Sequence, residues 1–314
     1  MKDLKIVFMG TPDFAVATLK SLVENNYKIA GVVTAPDRPA GRGQKLRASA
    51  VKEYAQNTGL KILQPTNLKN EDFLEELKSL HADLQIIVAF RMLPKVVWAM
   101  PQLGTFNLHA SLLPEYRGAA PINWAIINGE TKTGNTTFFI DEKIDTGNII
   151  LQQQIPITKN ETAGELHDKL MEQGAELVLQ TVDLIKKGNV VTKEQPKLEP
   201  KTAYKLHKEN TKINWNETGE KIYNLIRGLS PYPSAWSYLN DKGKQQQIKI
   251  LGAEFSEGSH QLSIGSIHIQ NKKIKIAVNN GFIIITKMQL PGKKAMETSA
   301  LLNGYSFNEG AFME

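Results

Sequence analysis

Short apolar runs alternate with an amphipathic helical segment at the start of the chain, and this alternation restricts the possible folds more than any other feature. Lys5–Met9 and Ile29–Val33 have the length and composition of strands, and Phe14–Asn25 between them carries apolar residues at helical spacing. The run Leu84–Phe90 suits a central strand that is buried on both faces. This order predicts a doubly wound, Rossmann-like α/β sheet, whose ligands bind beyond the carboxyl ends of the strands.

The turn after the first strand argues against one common class of ligand. Gly10-Thr11-Pro12 stands where a dinucleotide-binding fold carries the pattern G-x-G-x-x-G. The sequence therefore disfavours a nicotinamide or flavin dinucleotide, but it leaves other nucleotide-like ligands open.

Two polar side chains lie in the predicted strand Phe106–Ala110. Because residues i and i+2 of a strand point to the same face, we expect Asn107 and His109 to project together. The amide can donate to a developing oxyanion, and imidazole has the ordinary pKa nearest neutrality, so the pair suits acyl-group chemistry. On spacing alone, a turn-capping Asn beside a half-buried structural His is the commoner arrangement.

A turn further along the chain contributes a carboxylate. Asp141 and Asp145 flank this turn, which Thr146-Gly147 closes between two predicted strands. A carboxylate near an imidazole can orient the ring or help to remove a proton, and it can also simply cap the turn. Because the strand with the Asn and His pair ends at the ligand-binding edge of the predicted sheet, Asp145 is a candidate partner for that pair.

The rear of the chain predicts a second domain of different architecture, and a length of 314 residues also favours two domains. A long helix, Thr162–Ile185, leads into a polar, extended segment, and a second helix, Thr218–Leu229, precedes several short strands. About five strands at this spacing are typical of a small antiparallel barrel such as an OB-fold. The predicted strands are Ala235–Leu239, Gln247–Phe255, Leu262–Ile269, Lys273–Val278 and Gly281–Leu290. We predict a front domain over 1–188, an extended basic linker over 189–207 and an OB-like domain over 208–314.

The positive charge of the chain is concentrated in its rear part. Of the 38 Lys and Arg and the 32 Asp and Glu, 19 and 21 lie within residues 1–185, a net charge of −2, which leaves 19 against 11, or +8, for residues 186–314. A basic rear part suggests a polyanionic partner such as nucleic acid, because phosphate contacts supply most of the sequence-independent affinity. A merely Lys-rich, solvated surface explains the charge equally well.

Segment 34–47 is a basic loop in the front part of the chain. It contains two Pro, two Gly and four cations, without helical or strand periodicity, which predicts an exposed loop. Beside the carboxyl edge of the sheet such a loop can wrap a phosphate backbone, and Arg42, between two glycines, is expected to reach furthest. A mobile surface loop without a partner is the alternative.

Composition excludes several classes of site. The chain has no Cys, which excludes a disulfide, a thiol nucleophile and a thiolate metal site, and its six His, at positions 81, 109, 167, 207, 260 and 268, lack ligand spacing. No metal is therefore predicted. No run approaches the roughly 18 to 20 apolar residues of a membrane helix, and Ile6–Met9 precedes Gly10-Thr11-Pro12-Asp13 rather than a cleavage site. We expect a cytoplasmic protein without membrane contact.

Three motifs together resemble those of a known enzyme family. They are Asn107-x-His109-x-Ser111-Leu112-Leu113-Pro114, Tyr116-Arg117-Gly118-Ala119-Ala120-Pro121 and Asp145-Thr146-Gly147. On these residues the chain resembles the formyltransferases that use 10-formyltetrahydrofolate. Further segments along almost the whole chain are similar to members of this family that act on methionyl-tRNA, namely Phe8–Ala15, Pro36–Gly43, Thr211–Trp215, Arg227-Gly228, Gly292–Met296 and Leu302–Gly304.

The resemblance implies an activity and a set of site residues. A monomer would transfer the formyl group of 10-formyltetrahydrofolate to the α-amino group of methionyl-initiator tRNA, giving formylmethionyl-tRNA and tetrahydrofolate for translation initiation. Asn107, His109 and Asp145 match the family's catalytic trio. The folate-binding residues that it implies are Val88, Ala89, Phe90, Arg91, Met92, Leu93, Ser111, Leu112, Leu113 and Pro114. The tRNA-binding residues are Arg38, Arg42, Lys45, Arg47, Lys293 and Lys294.

Three other functions use some of the same features. A formyltransferase for a small amine, such as an amino sugar nucleotide or glycinamide ribonucleotide, would keep the trio but would not need the basic rear part. A folate hydrolase would activate water instead of an amine. A non-catalytic nucleic-acid-binding protein would rely on the OB-like domain alone.

Overall fold

The computed structural model describes residues 4–40, 45–196 and 199–314. Contacts divide the chain into two compact units: the first comprises Met1–Gly118, Thr133–Ile155 and His167–Thr202, and the second comprises Ala119–Lys132, Pro156–Leu166 and Ala203–Glu314. The boundaries 1–188, 189–207 and 208–314 stay a prediction, because a division by contacts does not test which segments fold independently. Within the described ranges, no helix combines the length and the apolar character needed to span a bilayer.

The strands and helices follow the predicted order along the chain. The strands are β1 (Lys5–Gly10), β2 (Lys28–Val33), β3 (Arg38–Ala40), β4 (Lys45–Arg47), β5 (Ile62–Leu63), β6 (Leu84–Val88), β7 (Thr105–His109), β8 (Arg117–Gly118), β9 (Lys132–Phe139), β10 (Ile149–Pro156), β11 (Thr202–Ala203), β12 (Ala235–Asp241), β13 (Lys244–Glu257), β14 (Ile267–Gln270), β15 (Lys273–Val278), β16 (Gly281–Gln289), β17 (Met296–Glu297) and β18 (Phe312–Met313). The helices are α1 (Asp13–Glu24), α2 (Ala50–Asn57), α3 (Glu71–Ser79), α4 (Lys95–Trp98), α5 (Pro121–Ile127), α6 (Ala163–Lys186), α7 (Gly219–Gly228) and α8 (Thr298–Leu301), with one 3₁₀ turn at Glu209–Thr211.

A seven-stranded sheet in the order β10–β9–β7–β6–β1–β2–β5 organises the first unit. Strands β5, β2, β1, β6 and β7 run parallel to their neighbours, whereas β9 runs antiparallel to β7. All five residues of β6 are buried, as expected for a central strand covered on both faces. This arrangement confirms the predicted Rossmann-like sheet.

Side-chain caps begin two helices of the first unit. The Ser49 hydroxyl accepts from the Lys52 amide at the start of α2, and the Asn70 side chain accepts from the Phe73 amide at the start of α3. Helix α3 then buries Phe73 and Leu77 in a core cluster that includes residues of β1 and β6. The helix therefore covers one face of the sheet.

The segment predicted as an irregular loop, 34–47, contains a short hairpin. Strands β3 and β4 pair antiparallel, with Arg38 directly opposite Arg47. The stem is anchored by Asp37, whose two carboxylate oxygens accept from Lys52 Nζ at 2.6 Å and from Gln64 Nε2 at 2.9 Å. Residues 41–44, and with them Arg42, lie outside the described residues.

An antiparallel sheet forms the second unit, in the order β14–β15–β16–β13–β12–β18, with β17 paired to β16. Its inner face is rich in Ile, including Ile248, Ile250, Ile276 and Ile285, each at most 1% exposed. The curled sheet confirms the predicted OB-like class. Strand β14 begins at Ile267 rather than at the predicted Leu262, because the chain turns at Gly265, which has a positive φ of 83°.

Helices α5 and α7 pack closely within the second unit. A Cβ atom at Gly228 would lie 2.7 Å from Ile127 Cγ1, so only Gly allows this approach. The Asn123 side chain donates to the Gly228 carbonyl at 2.8 Å.

Candidate active site

Asn107 and His109 lie on β7, which pairs with β6 on one side and with β9 on the other. Asn107 is opposite Ile87 and Phe138, and the alternate residues Phe106 and Leu108 are at most 3% exposed. A Cβ atom at Gly174 of α6 would lie 2.8 Å from the Leu108 side chain, which shows that α6 covers the Leu108 face. The strand therefore holds Asn107 and His109 on the other face, as predicted.

The His109 ring is held by a backbone carbonyl. Its Nε2 lies 2.8 Å from the carbonyl oxygen of Tyr116, and its side chain is 7% exposed. Because a carbonyl only accepts hydrogen bonds, we assign the proton to Nε2. The other ring nitrogen, Nδ1, lies 3.8 Å from Asp145 Oδ2. A neutral His109 therefore presents an unprotonated Nδ1 toward the carboxylate.

The turn Asp141–Gly147 presents Asp145. Asp141 Oδ1 accepts from the Lys143 amide at 2.9 Å and from the Thr146 hydroxyl at 2.7 Å, which caps the turn. Asp145 has a positive φ of 54°, and its Oδ2 accepts from the Gly118 amide at 2.9 Å. Of the two aspartates, Asp141 has the capping role and Asp145 faces His109.

Two further side chains lie beside this turn. Arg117, which belongs to a quoted motif, and Gln195, which does not, are joined by hydrogen bonds. The sequence does not reveal Gln195, because it stands in a polar segment without periodicity and its partners are 48 to 78 residues away.

The segment after β6 carries the first group of predicted folate-binding residues. Val88 and Leu93 are buried, whereas Ala89, Arg91 and Met92 are exposed, and Phe90 is half-buried. Since Val88 pairs with Leu108, the segment leaves the sheet beside the end of β7. Exposed apolar side chains and main-chain groups at this edge suit an aromatic, hydrogen-bonding ring such as the pterin of a folate.

The Arg91 side chain is hydrogen-bonded to the main chain of a neighbouring loop. Its guanidinium donates to the Thr66 carbonyl at 2.9 Å and to the Pro65 carbonyl. Although the residue as a whole is exposed, partial burial of the guanidinium, and after it the charge of Arg38, lowers the pKa of Arg91. Arg38 and Arg91 are therefore close enough for their charges to interact.

The second group of predicted folate-binding residues follows β7. Ser111 is fully buried and donates to the Glu115 carbonyl at 2.6 Å, while the Leu113 amide donates to Thr136 Oγ1 at 3.1 Å. Leu113 is buried, and Leu112 and Pro114 are half-buried. These contacts shape the loop beside His109, and a folate-binding role for all ten residues stays a prediction.

The predicted tRNA-binding residues lie in two separate groups. Arg38 and Arg47 are exposed on the β3–β4 hairpin of the first unit, and the side chain of Lys45 is outside the described structure. Lys293 and Lys294 are exposed after β16 in the second unit. Two like charges directly across a hairpin are unfavourable unless an anion lies near them, which is consistent with a phosphate-binding stem.

Among the residues that the structure describes, no group of three or more His, Asp or Glu could hold a metal ion. The candidate site brings together an amide, an imidazole and a carboxylate at the end of a parallel sheet.

A comparison with known families agrees with this site. Residues 4–182 match the Formyl transferase family and residues 205–306 match its C-terminal domain, so the chain belongs to the formyltransferase family. The methionyl-tRNA formyltransferase of Flavobacterium johnsoniae is 60% identical over 312 residues, 99% of each chain. That of Bacteroides thetaiotaomicron is 52% identical over 315 residues, 98% of each chain.

A solved structure extends the similarity to the fold. The N-formyltransferase from Helicobacter canadensis, in complex with folinic acid and dTDP-3-aminofucose, is 25% identical, with a TM-score of 0.66 over 90% of this chain and 98% of that one.

Proposed function

We propose that this chain transfers the formyl group of 10-formyltetrahydrofolate to the α-amino group of methionyl-initiator tRNA. The observation that carries the proposal is the convergence of Asn107, His109 and Asp145 at one sheet edge, in a chain 60% identical over its whole length to a methionyl-tRNA formyltransferase. The products are formylmethionyl-tRNA and tetrahydrofolate, which makes the reaction a step of translation initiation. Its expected location is the cytoplasm, where aminoacyl-tRNA is used.

The amine nitrogen forms a bond to the formyl carbon, and the bond from that carbon to N10 of the folate then breaks. Asn107 donates from its side-chain amide to the formyl oxygen as negative charge develops there. One proton leaves the amine and one reaches N10. His109 Nδ1, which faces Asp145, accepts the proton from the amine, and the carboxylate stabilises the imidazolium that results.

A hydrogen bond from the main chain fixes the Asp145 carboxylate, which supports the proposed role of His109 as the base. The Gly118 amide, 2.9 Å from Oδ2, holds the carboxylate in place on the side of the His109 ring. His109 is not assigned to the oxyanion, because the Tyr116 carbonyl already occupies its Nε2. Only a doubly protonated ring could donate from Nδ1.

The substrates contact separate parts of the chain. The donor folate is proposed to lie against the segments 88–93 and 111–114, which border the end of β7. The acceptor tRNA is proposed to contact Arg38, Arg42, Lys45 and Arg47 on the hairpin, and Lys293 and Lys294 on the second unit. One copy of the chain supplies every proposed residue, so a monomer suffices.

One assay separates this proposal from the alternatives. The purified chain is given 10-formyltetrahydrofolate together with charged initiator tRNA, an amino sugar nucleotide or no acceptor, and the formylated product is identified. Formylation of methionyl-tRNA alone is expected. Formylation of the sugar amine would instead indicate a small-amine enzyme, release of formate without an acceptor would indicate a hydrolase, and no turnover would favour a binding protein.

A further inference from the structure

Gln195 is a buried side chain beside the candidate site, and both ends of its amide are hydrogen-bonded. It lies between α6 and β11, is 6% exposed, and belongs to the first unit. Its Nε2 donates to the Asp145 carbonyl at 3.0 Å and to the Gly147 carbonyl at 2.8 Å. A buried primary amide has two N–H donors, and Gln195 uses both on this one turn.

The other end of the amide is bonded as well. Gln195 Oε1 accepts from Arg117 Nε at 3.1 Å and from Arg117 Nη2 at 2.6 Å. Rotating the amide by a half turn would bring the NH₂ group against two N–H donors and the oxygen against two carbonyls. The orientation of the Gln195 side chain is therefore determined by its four partners.

These bonds join the two pieces of backbone that hold the catalytic carboxylate. Arg117 immediately precedes Gly118, whose amide binds Asp145 Oδ2, while Gln195 binds the main-chain carbonyl of Asp145. The carboxylate of Asp145 is thus bonded to β8 directly, through Gly118. Its main-chain carbonyl is linked to β8 through Gln195 and Arg117. A shift of Gln195 would move the turn relative to β8, and with it the 3.8 Å separation between Asp145 and His109.

We infer that Gln195 is a positioning residue for formyl transfer, acting through the Asp145–Gly147 turn. The inference rests on the proposed function, because it assigns Gln195 a role in that reaction. The competing explanation is that Gln195 only fixes Arg117 or the fold of its own segment. Two near-isosteric substitutions separate these explanations.

Gln195→Met fills a similar volume but makes none of the four hydrogen bonds. Gln195→Glu keeps acceptors for Arg117 but places a carboxylate oxygen against the carbonyls of Asp145 and Gly147, which repel it. If Gln195 positions the turn, both variants lower kcat about 10- to 100-fold, with the KM for the folate changed by less than about twofold. If it serves only Arg117, Gln195→Glu keeps wild-type kcat, and that result would overturn the inference.

A second measurement follows the mobility of the Asp141–Gly147 turn and does not depend on catalysis. Amide hydrogen exchange across residues 141–147 is expected to be faster in both variants, because the turn loses two hydrogen bonds that hold its main chain and opens more readily. Unchanged exchange together with unchanged kcat would contradict the positioning role. Asn70→Ala, which removes the cap of α3 and none of the hydrogen bonds of Gln195, is the control: it should lose stability without any fall in kcat.

The combination with Asp145→Asn tests whether Gln195 acts through Asp145. In single-turnover experiments, Gln195→Met should cost less than about threefold in the Asp145→Asn background, because the two residues act as a unit. Full additivity would indicate a general structural role. Wild-type protein that does not formylate methionyl-tRNA would refute the proposed function itself, whereas active wild type with active Gln195→Met would refute only this inference.

Discussion

His109 shows how a single backbone contact decides what a side chain can do. The Tyr116 carbonyl occupies Nε2, so the neutral ring has its lone pair on Nδ1, facing Asp145. Tyr116 presents this carbonyl from a left-handed conformation, with φ of 61°, and its own amide donates to the Lys201 carbonyl at 2.6 Å. The tautomer of the candidate base is thus set by the main chain of Tyr116.

The tautomer can be measured directly. In protein labelled with ¹⁵N at His, the neutral form of His109 should show a protonated Nε2 and an unprotonated Nδ1. His109→Gln supplies the assignment of the signal. A neutral ring protonated at Nδ1 would contradict the Tyr116 hydrogen bond and the base role assigned here.

Asn107 is expected to act only when charge develops on the formyl oxygen. Asn107→Ala should lower kcat about 10²- to 10³-fold while folate binding changes little, because loss of one oxyanion donor costs that much in other enzymes. Steady-state kinetics and a direct folate-binding measurement check both parts. Asn25→Ala, at an exposed helix end, is the matched control; a near wild-type rate for Asn107→Ala would remove the residue from the mechanism.

The turn that carries Asp145 depends on a Gly at its end. A Cβ atom at Gly147 would overlap the carbonyl oxygen of Phe139 on the neighbouring strand. Gly147→Ala should therefore displace the turn, lowering kcat at least about tenfold and stability by about 1–3 kcal/mol. Gly258→Ala, where a Cβ has open space around it, should change neither. Steady-state kinetics and urea unfolding measure kcat and the unfolding free energy of the two variants. Equal values for Gly147→Ala and Gly258→Ala would contradict the steric argument.

The β3–β4 hairpin is expected to act on the acceptor substrate. Replacing Arg38 or Arg42 by Ala should raise the KM for tRNA and reduce the slope of log KM against log salt concentration by about 1. Lys20→Ala on α1, whose charge pairs with Glu24, is the control for a lost surface cation. Unchanged tRNA kinetics at every salt concentration would exclude the hairpin from the interface.

Elements with clear periodicity could be predicted from sequence, and the rest could not. The strand with Asn107 and His109, the long helix α6 and most of the barrel strands agree with their predicted positions to within a few residues, because burial on one face imposes a pattern. The hairpin was predicted as a loop, since strands of three residues with Pro39 carry no period. Gln195 had no pattern to reveal it, because a hydrogen bond to distant main-chain carbonyls leaves no trace in local sequence.

The second unit contains a group that links the stability of the chain to alkaline pH. Burial, with a hydrogen bond of 2.8 Å to Asp241, raises the pKa of Tyr305 to about 12. Since the unfolded value lies near 10, the contribution of Tyr305 is fully present below pH 10 and is lost as the pH rises toward 12. Urea unfolding at about pH 9 and about pH 11.5 should show this loss in wild type.

Tyr305→Phe isolates the effect from other groups. Burial and Asp183 raise the pKa of Tyr27 to about 12 as well, so wild type alone cannot assign the loss to one residue. The difference in unfolding free energy between wild type and Tyr305→Phe should shrink as the pH rises over that range. A difference independent of pH would mean that Tyr305 ionises as freely in the folded chain as in the unfolded one.

The contacts of Gln195 also bear on where this enzyme can be divided. The family match to the front part ends at residue 182, and that stretch contains Asn107, His109 and Asp145, so it looks like a transferable catalytic module. It stops before Gln195 and before Lys201, which hold the turn and the Tyr116 backbone. Any chimera that exchanges the rear part of this chain with that of a relative should therefore place its junction after Lys201, since an earlier crossover would separate the proposed catalytic residues from the residues that hydrogen-bond the Asp145 turn and the Tyr116 backbone.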